Sequence, residues 1–186
     1  MNRNIEIKAL VSNRLHFCNI AESICDNQKT VTHVDTYFVC TNGRLKLRVS
    51  DYDSAELIFY QRENNPSPKI SQYLRYPAKE WKSLLEFLKR SFDIRGVVRK
   101  KRTIFLVGQN HIHIDEVEDL GLFAELEVIM EPYQSIEVSK QVLQELMLRL
   151  GIREEELVSG SYIDLIEKKN SILKDTESTF FSKVLM

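Results

Sequence analysis

The sequence predicts an α+β fold built on a largely antiparallel sheet. Segments that alternate apolar and polar residues outnumber segments of helical periodicity, about eight against three or four. Most consecutive alternating segments can also pair antiparallel. The chain is long enough for one domain: 186 residues, 43% of them apolar, give material for a core. A single domain over residues 1–174 is expected, with a flexible polar tail over 175–186.

Ile5 to Val11 alternates and reads as a strand. Phe17, Ile20, Ala21 and Ile24 then recur at helical spacing. A strand follows from about His33 to Val39. Asn42-Gly43 marks a turn, because glycine accepts backbone angles closed to other residues. Leu45 to Ser50 and Glu56 to Arg62 alternate again. Pro66 and Pro68 break the next loop, since proline donates no ladder hydrogen bond. A strand near Ile70 to Tyr76 comes next. Trp81, Leu84, Leu85 and Leu88 mark a second helix. Val97 to Val107, His111 to Val117 and Phe123 to Met130 read as three strands. Leu143, Leu146, Met147 and Leu150 share one face of a third helix, with Gly151 as its stop signal. Tyr162 to Lys169 reads as a short final helix.

Composition excludes several classes. Lys+Arg total 26 against 27 Asp+Glu, so the chain has no general pull on nucleic acid. Nucleic acid is therefore not expected as the main ligand, although RNA 5′-triphosphate ends stay open as a substrate. No window approaches the ~20 apolar residues of a membrane span. Residues 1–8 lack a secretory apolar region, and three cysteines are too few for a disulfide framework. Together these features read as a cytoplasmic protein. The 6 glycines form neither a phosphate loop nor a dinucleotide fingerprint.

The informative signal is charge at strand spacing. Residues two apart in a strand face the same way. Glu6 and Lys8, Lys46 and Arg48, Tyr60 and Arg62, Lys100 and Arg102, His113 and Asp115, and Glu125 and Glu127 all pair in this way. Between them stand apolar residues such as Ile7, Leu47 and Leu126. Some stripes are purely basic and one is purely acidic, whereas a solvated face usually mixes its signs. A sheet curled around these stripes would set a cationic wall against an acidic wall. Such a cavity needs a filler, because unpaired buried charge is costly. A polyanion with a divalent cation suits it. Lys and Arg neutralise phosphate oxygens, and carboxylates suit Mg²⁺ or Mn²⁺.

The same residues resemble a known family. Asn4-Ile5-Glu6-Ile7-Lys8 stands in the place of an N-terminal Glu-x-Glu-x-Lys. It is followed in order by Asp35-Thr36-Tyr37-Phe38, Gly43 to Arg48, Ala55 to Arg62, Pro68 to Tyr73, Gly96 to Arg102, His113 to Gly121, Phe123 to Glu127 and Ser161 to Leu165. The series resembles the CYTH family, the triphosphate tunnel metalloenzymes, which include class IV adenylate cyclases and thiamine triphosphatases. The resemblance implies a closed eight-stranded antiparallel β-barrel flanked by helices.

It also implies roles. Glu6, Glu125 and Glu127, with Asp115 near them, would hold Mg²⁺ or Mn²⁺. Lys8, Lys46, Arg48, Arg62, Lys69, Lys100 and Arg102 would line the phosphate path. Glu6, Lys8 and Glu127 would carry catalysis. The substrate would be ATP, inorganic triphosphate or thiamine triphosphate, bound by a monomer or homodimer. Hydrolysis is the leading expectation. Cyclisation of ATP and non-catalytic sensing are the alternatives. Two departures stand out. Asn4 replaces the first Glu of the family motif and brings no charge. His111 stands where related sequences carry Arg. The other histidines, His16 and His33, and most of the tyrosines read as packing residues.

Overall fold

The computed structural model describes residues 1–184, with side chains described to residue 173. The elements run β1 (Asn2–Leu10), α1 (Arg14–Ile24), β2 (Asn27–Phe38), β3 (Arg44–Ser50), β4 (Ser54–Arg62) and β5 (Lys69–Pro77). Then come α2 (Trp81–Ser91), β6 (Ile94–Val107), β7 (Asn110–Val117), β8 (Gly121–Ile129), α3 (Ile136–Leu150) and α4 (Tyr162–Val184). The strands close into an antiparallel barrel in the order β1-β5-β4-β3-β2-β6-β7-β8. The expected eight strands and their closure are therefore present.

The barrel is hydrophobic outside and charged inside, and the helices complete this arrangement. Ile5, Ile7, Ile112, Ile114, Leu126 and Val128 face outward. They are buried beneath Phe17 and Ala21 of α1 and Leu143, Leu146, Met147 and Leu150 of α3. Each such side chain, once fully buried, contributes ~1.5–3 kcal/mol. Asn13 caps α1 by accepting from the His16 amide at 3.0 Å. Ser135 caps α3, and Gly151 ends it in the left-handed conformation. α2 covers the outer face of β3 and β4 through Leu84, Leu85 and Leu88.

A third apolar cluster lies elsewhere. Tyr37, Ile58, Tyr60, Val98 and Phe123 meet Tyr162 and Ile163 at the start of α4. The first turn of α4 thus packs against side chains from the barrel interior. Gly96 permits this approach, since a Cβ there would stand 2.5 Å from Ile163 Cδ1. Gly43 has a similar duty in the β3 turn, where a Cβ would come within 2.8 Å of the Tyr60 carbonyl.

Three boundaries differ from the sequence reading. β2 starts at Asn27, six residues before its apolar alternation begins at His33. This polar extension is held by its ladder to β6, from Asn27 opposite Leu106 onward, and not by burial. A 3-10 turn at Glu154–Glu156 lies between α3 and α4, outside any element read from the sequence. The α4 backbone runs to Val184, well past Lys169. The flexibility expected of 175–186 concerns side chains outside the described residues.

Candidate functional site

The inward stripes enclose a cavity of about 650 Å³. Asn4, Glu6, Lys8, Lys46, Arg48, Arg62, Lys100, Arg102, Glu125 and Glu127 all line it. Lys101, between two of them, is exposed on the opposite face, as alternation requires. Lys69 is buried in the wall opposite Glu6, and its ammonium donates to the Asn65 carbonyl at 3.0 Å. Burial, then Arg62 and Lys8, push its pKa down to about 8.

Two groups of cations are built alike. In the first, Arg48 lies opposite Asp35 in the β2–β3 ladder. Its Nε and Nη2 donate to the two Asp35 oxygens at 2.7 Å, a bidentate fork. Lys46 donates to the same carboxylate at 2.8 Å. In the second, Arg102 lies opposite Asp115 in the β6–β7 ladder. Its Nε and Nη2 donate to Asp115 at 2.6 Å, and Lys100 adds a bond of 2.8 Å. Tyr162 donates a further bond to Asp115 at 2.8 Å. The Tyr162 ring also sits under the Lys8 and Lys100 ammoniums, 3.4 and 4.8 Å from its centroid.

Burial acts to raise the pKa of both aspartates, but the adjoining arginine and lysine outweigh it and hold both below the usual range. The lysines move the other way. Burial, then Arg102, lowers Lys100 to about 7. Burial, then Arg48, lowers Lys46 to about 8.

The carboxylates expected at a metal are spread over β1, β7 and β8. Glu6 lies opposite Glu127 in the β1–β8 ladder and forms an ion pair with Arg62. Glu125, opposite Lys8, is bridged by Lys8 and Arg102. Glu127 has imidazoles beside it, with His111 Nδ1 at 3.8 Å and His113 Nδ1 at 3.7 Å. Asp115 shares the Arg102 guanidinium with Glu125 and also accepts from Lys100 and Tyr162. Burial opposes ionisation of Glu127, but His113, His111 and Arg102 hold it below the usual carboxylate range. His113 is buried, and burial and then Arg102 push its pKa down to about 3. Its Nδ1 and the Asn4 Oδ1 are buried atoms without a hydrogen-bond partner.

The expected separation into two opposed walls is not what forms. The signs interleave, and most pairs join neighbouring strands. Asp35 lies inside the basic wall and Lys8 inside the acidic one. Three further residues enter the site. Asp35 organises the first cation group. Tyr162 braces the second. His33 lines the cavity, its pKa lowered to about 2 by burial and then by Arg48 and Arg102. Parity was the available signal for Asp35, which shares an inward face with His33 and Tyr37. Of the tyrosines expected to pack, Tyr37 and Tyr60 are buried, whereas Tyr76 is exposed.

Comparison with known proteins agrees with this geometry. The family model for the CYTH domain matches residues 2–162. The chain belongs to the CYTH domain family. A curated relative, adenylate cyclase CyaB of Aeromonas hydrophila, is 35% identical over 71 residues. That match spans 38% of this chain and 37% of the relative, so about a third of the curated relative's length is matched. The PH1012 protein of Pyrococcus horikoshii superposes with a TM-score of 0.78 at 22% identity, covering 87% of this chain and 98% of its own. HpAC1 of Hippeastrum, an adenylyl cyclase-like protein with a dominant triphosphatase activity, superposes with a TM-score of 0.61 at 13% identity, covering 91% of this chain and 96% of its own. These two structures share the CYTH tunnel fold with this chain.

Proposed function

We propose that this CYTH protein is a divalent-metal-dependent enzyme that hydrolyses a triphosphate compound inside the barrel. One observation carries the reading: two aspartate-held Lys-x-Arg groups converge on the same cavity as Arg62, Lys8 and three glutamates. Each aspartate fixes the guanidinium, and with its lysine charged each Lys-x-Arg-Asp set keeps one net positive charge. A chain of phosphates supplies the matching negative charge and planar oxygen faces.

Binding follows from the wall. Lys46, Arg48, Lys100 and Arg102 take the phosphate oxygens, and Arg62 and Lys69 neutralise charge near Glu6. A Mg²⁺ or Mn²⁺ ion fits the donors at Glu6, Glu127 and the unpartnered Asn4 oxygen, and when bound it supplies Lewis-acid stabilisation of the phosphoryl oxygens. Glu127 accepts a hydrogen bond from the attacking water and aims it at the terminal phosphorus. With its pKa held low, it positions this water and is a poor base before attack. A loose phosphoryl-transfer transition state asks little more of it. The water oxygen bonds to the terminal phosphorus as the bond to the bridging oxygen breaks. Orthophosphate leaves, and the water proton passes to the phosphate products.

A second reading is favoured by the identity to adenylate cyclase CyaB. There the ribose 3′-hydroxyl would attack the α-phosphorus and release pyrophosphate. Incubation of purified protein with ATP, inorganic triphosphate or thiamine triphosphate separates the two. Orthophosphate without cyclic AMP is the expected product. Cyclic AMP with pyrophosphate would establish the cyclase instead. Tight triphosphate binding without any product would leave a sensor.

A further inference from the structure

The tunnel carboxylates are not equally free to hold an ion. Glu6 is paired with Arg62, and Glu125 with Lys8 and Arg102. Among the described residues, Glu127 is the tunnel glutamate with no lysine or arginine within ion-pair distance; its close partners are His111 and His113. Alternation sends both imidazoles inward from β7, and the ladder sets His111 opposite Glu127. Their rings stand 5.7 Å apart and tilted, so both nitrogens converge on the carboxylate and the two rings do not stack. One donor atom from each of His111, His113 and Glu127 lies within 4.8 Å of the others. Ion-to-ligand bonds of ~2.1 Å need donor atoms about 3.4 Å apart in a tetrahedron, which small side-chain rotations supply.

Two further observations point to a ligand there. His113 Nδ1 is buried, faces Glu127 and has no hydrogen-bond partner. Asn4, one diagonal step along the β1–β8 ladder, offers an unpartnered amide oxygen where a carboxylate would carry charge. Mg²⁺ needs several hard oxygen ligands and gains little from imidazole. Imidazole suits first-row transition ions, whose affinity rises along the series past Mn²⁺.

We propose that His111, His113 and Glu127 form a mixed nitrogen–oxygen ion site that selects a first-row transition ion over Mg²⁺. This rests on the reading of the tunnel as a metal-dependent phosphate site, and it names the ion class. The two imidazoles make up in nitrogen coordination what Asn4 withholds in charge. Glu127 then holds the ion on its phosphate side, with open positions left for phosphate oxygens.

The test uses the full chain, stripped with a chelator and titrated with Co²⁺. The visible d–d absorption of the bound ion should intensify and shift from that of the aqua ion, and a hundredfold excess of Mg²⁺ should not reverse it. His111→Gln and His113→Gln should each weaken Co²⁺ binding by ~10–100-fold or more. His113 is buried, so its variant could fail to fold. His111 is half-exposed, and pulsed EPR of the unmodified protein loaded with Mn²⁺ needs no variant: imidazole nitrogen coupling is expected. An aqua-like Co²⁺ spectrum, displacement by equimolar Mg²⁺, or absence of nitrogen coupling would overturn the site. Hydrolysis of inorganic triphosphate, followed in parallel, keeps the two readings apart. Turnover with an oxygen-only ion sinks this site and leaves the enzyme. A nitrogen-bound ion without triphosphate binding or turnover does the reverse.

Discussion

The β2–β3 and β6–β7 cation groups share one plan and differ in what surrounds it. Each sets Lys-x-Arg on one strand against an aspartate on its neighbour, with the arginine forked on both oxygens. In the first group the Lys46 and Arg48 side chains keep 10% and 13% of their surface exposed. In the second, Lys100 and Arg102 keep 2% and 5%, and Asp115 keeps none. Tyr162 and Glu125 account for the difference. Glu125 takes a bonding direction of Arg102 that Arg48 leaves free, and Tyr162 adds a bond to Asp115, whereas in the first group Lys46 meets the Tyr37 hydroxyl at 3.4 Å. The same local chemistry therefore yields a more open group in one place and a more tightly locked one in the other, with both cation pairs still on the cavity. What distinguishes them is the α4 start, more than a hundred residues along the chain from Asp35.

The largest expected effect breaks the locked group. Asp115→Asn leaves Arg102 and Lys100 buried without their shared counter-charge, and should cost ~3–5 kcal/mol of stability. Asp35→Asn should cost less, because water reaches Lys46 and Arg48. Scanning calorimetry of both variants decides this, and equal losses would erase the distinction.

Arg48→Ala comes next. The affinity for inorganic triphosphate should fall by about 1.5–3 kcal/mol, the worth of a hydrogen bond to a charged group, and the melting temperature should fall too, because buried Asp35 keeps only Lys46 as counter-charge. Unchanged affinity by titration calorimetry would remove Arg48 from the binding face.

Proton uptake on binding is a smaller signature. Lys100 at about 7 and Lys46 at about 8 have pKa values below the ordinary lysine value. An incoming phosphate favours the charged forms and raises both. Well below pH 7 both lysines are charged with or without anion, so binding moves no lysine proton. Above it the free protein has lost protons that the complex regains, and affinity declines as pH rises. At pH about 8, calorimetry in buffers of different ionisation heat should show net uptake. Zero uptake would mean that neither lysine meets the anion.

The mildest change is Asn4→Glu, which lies outside both groups. Added charge beside Glu127 should tighten Mn²⁺ binding by roughly tenfold, or 1.4 kcal/mol. The Mn²⁺ EPR signal of free ion reads this directly, and no change would place Asn4 away from the ion.

Much of this was legible in the sequence, because alternation is a local property. The stripes of Lys46 with Arg48, and of Lys100 with Arg102, could be read without any partner strand. So could the inward parity of Glu125 and Glu127, and the apolar faces of α1 and α3. Asp35 was harder. Its neighbours at two-residue spacing are His33 and Tyr37, so no charged stripe marks it, and its purpose appears only opposite Arg48. Tyr162 lies on a helix whose local pattern says nothing about Asp115. The polar start of β2 is strand because β6 is long enough to pair with it. In each case the missing information was the identity of a neighbour distant in the chain.

Closure of the barrel by β1 and β8 sets an order of events. The ladder that seats Ile5 against Val128 joins the first strand made to the last. Until residues 121–129 have emerged, β1 and β7 each keep an open edge, and the apolar surface under α3 stays uncovered. So distant a pairing is among the slowest steps a small domain can take. A newly made chain thus has no enclosed interior through most of its synthesis, and it gains its anion trap late, with the final turn of the sheet.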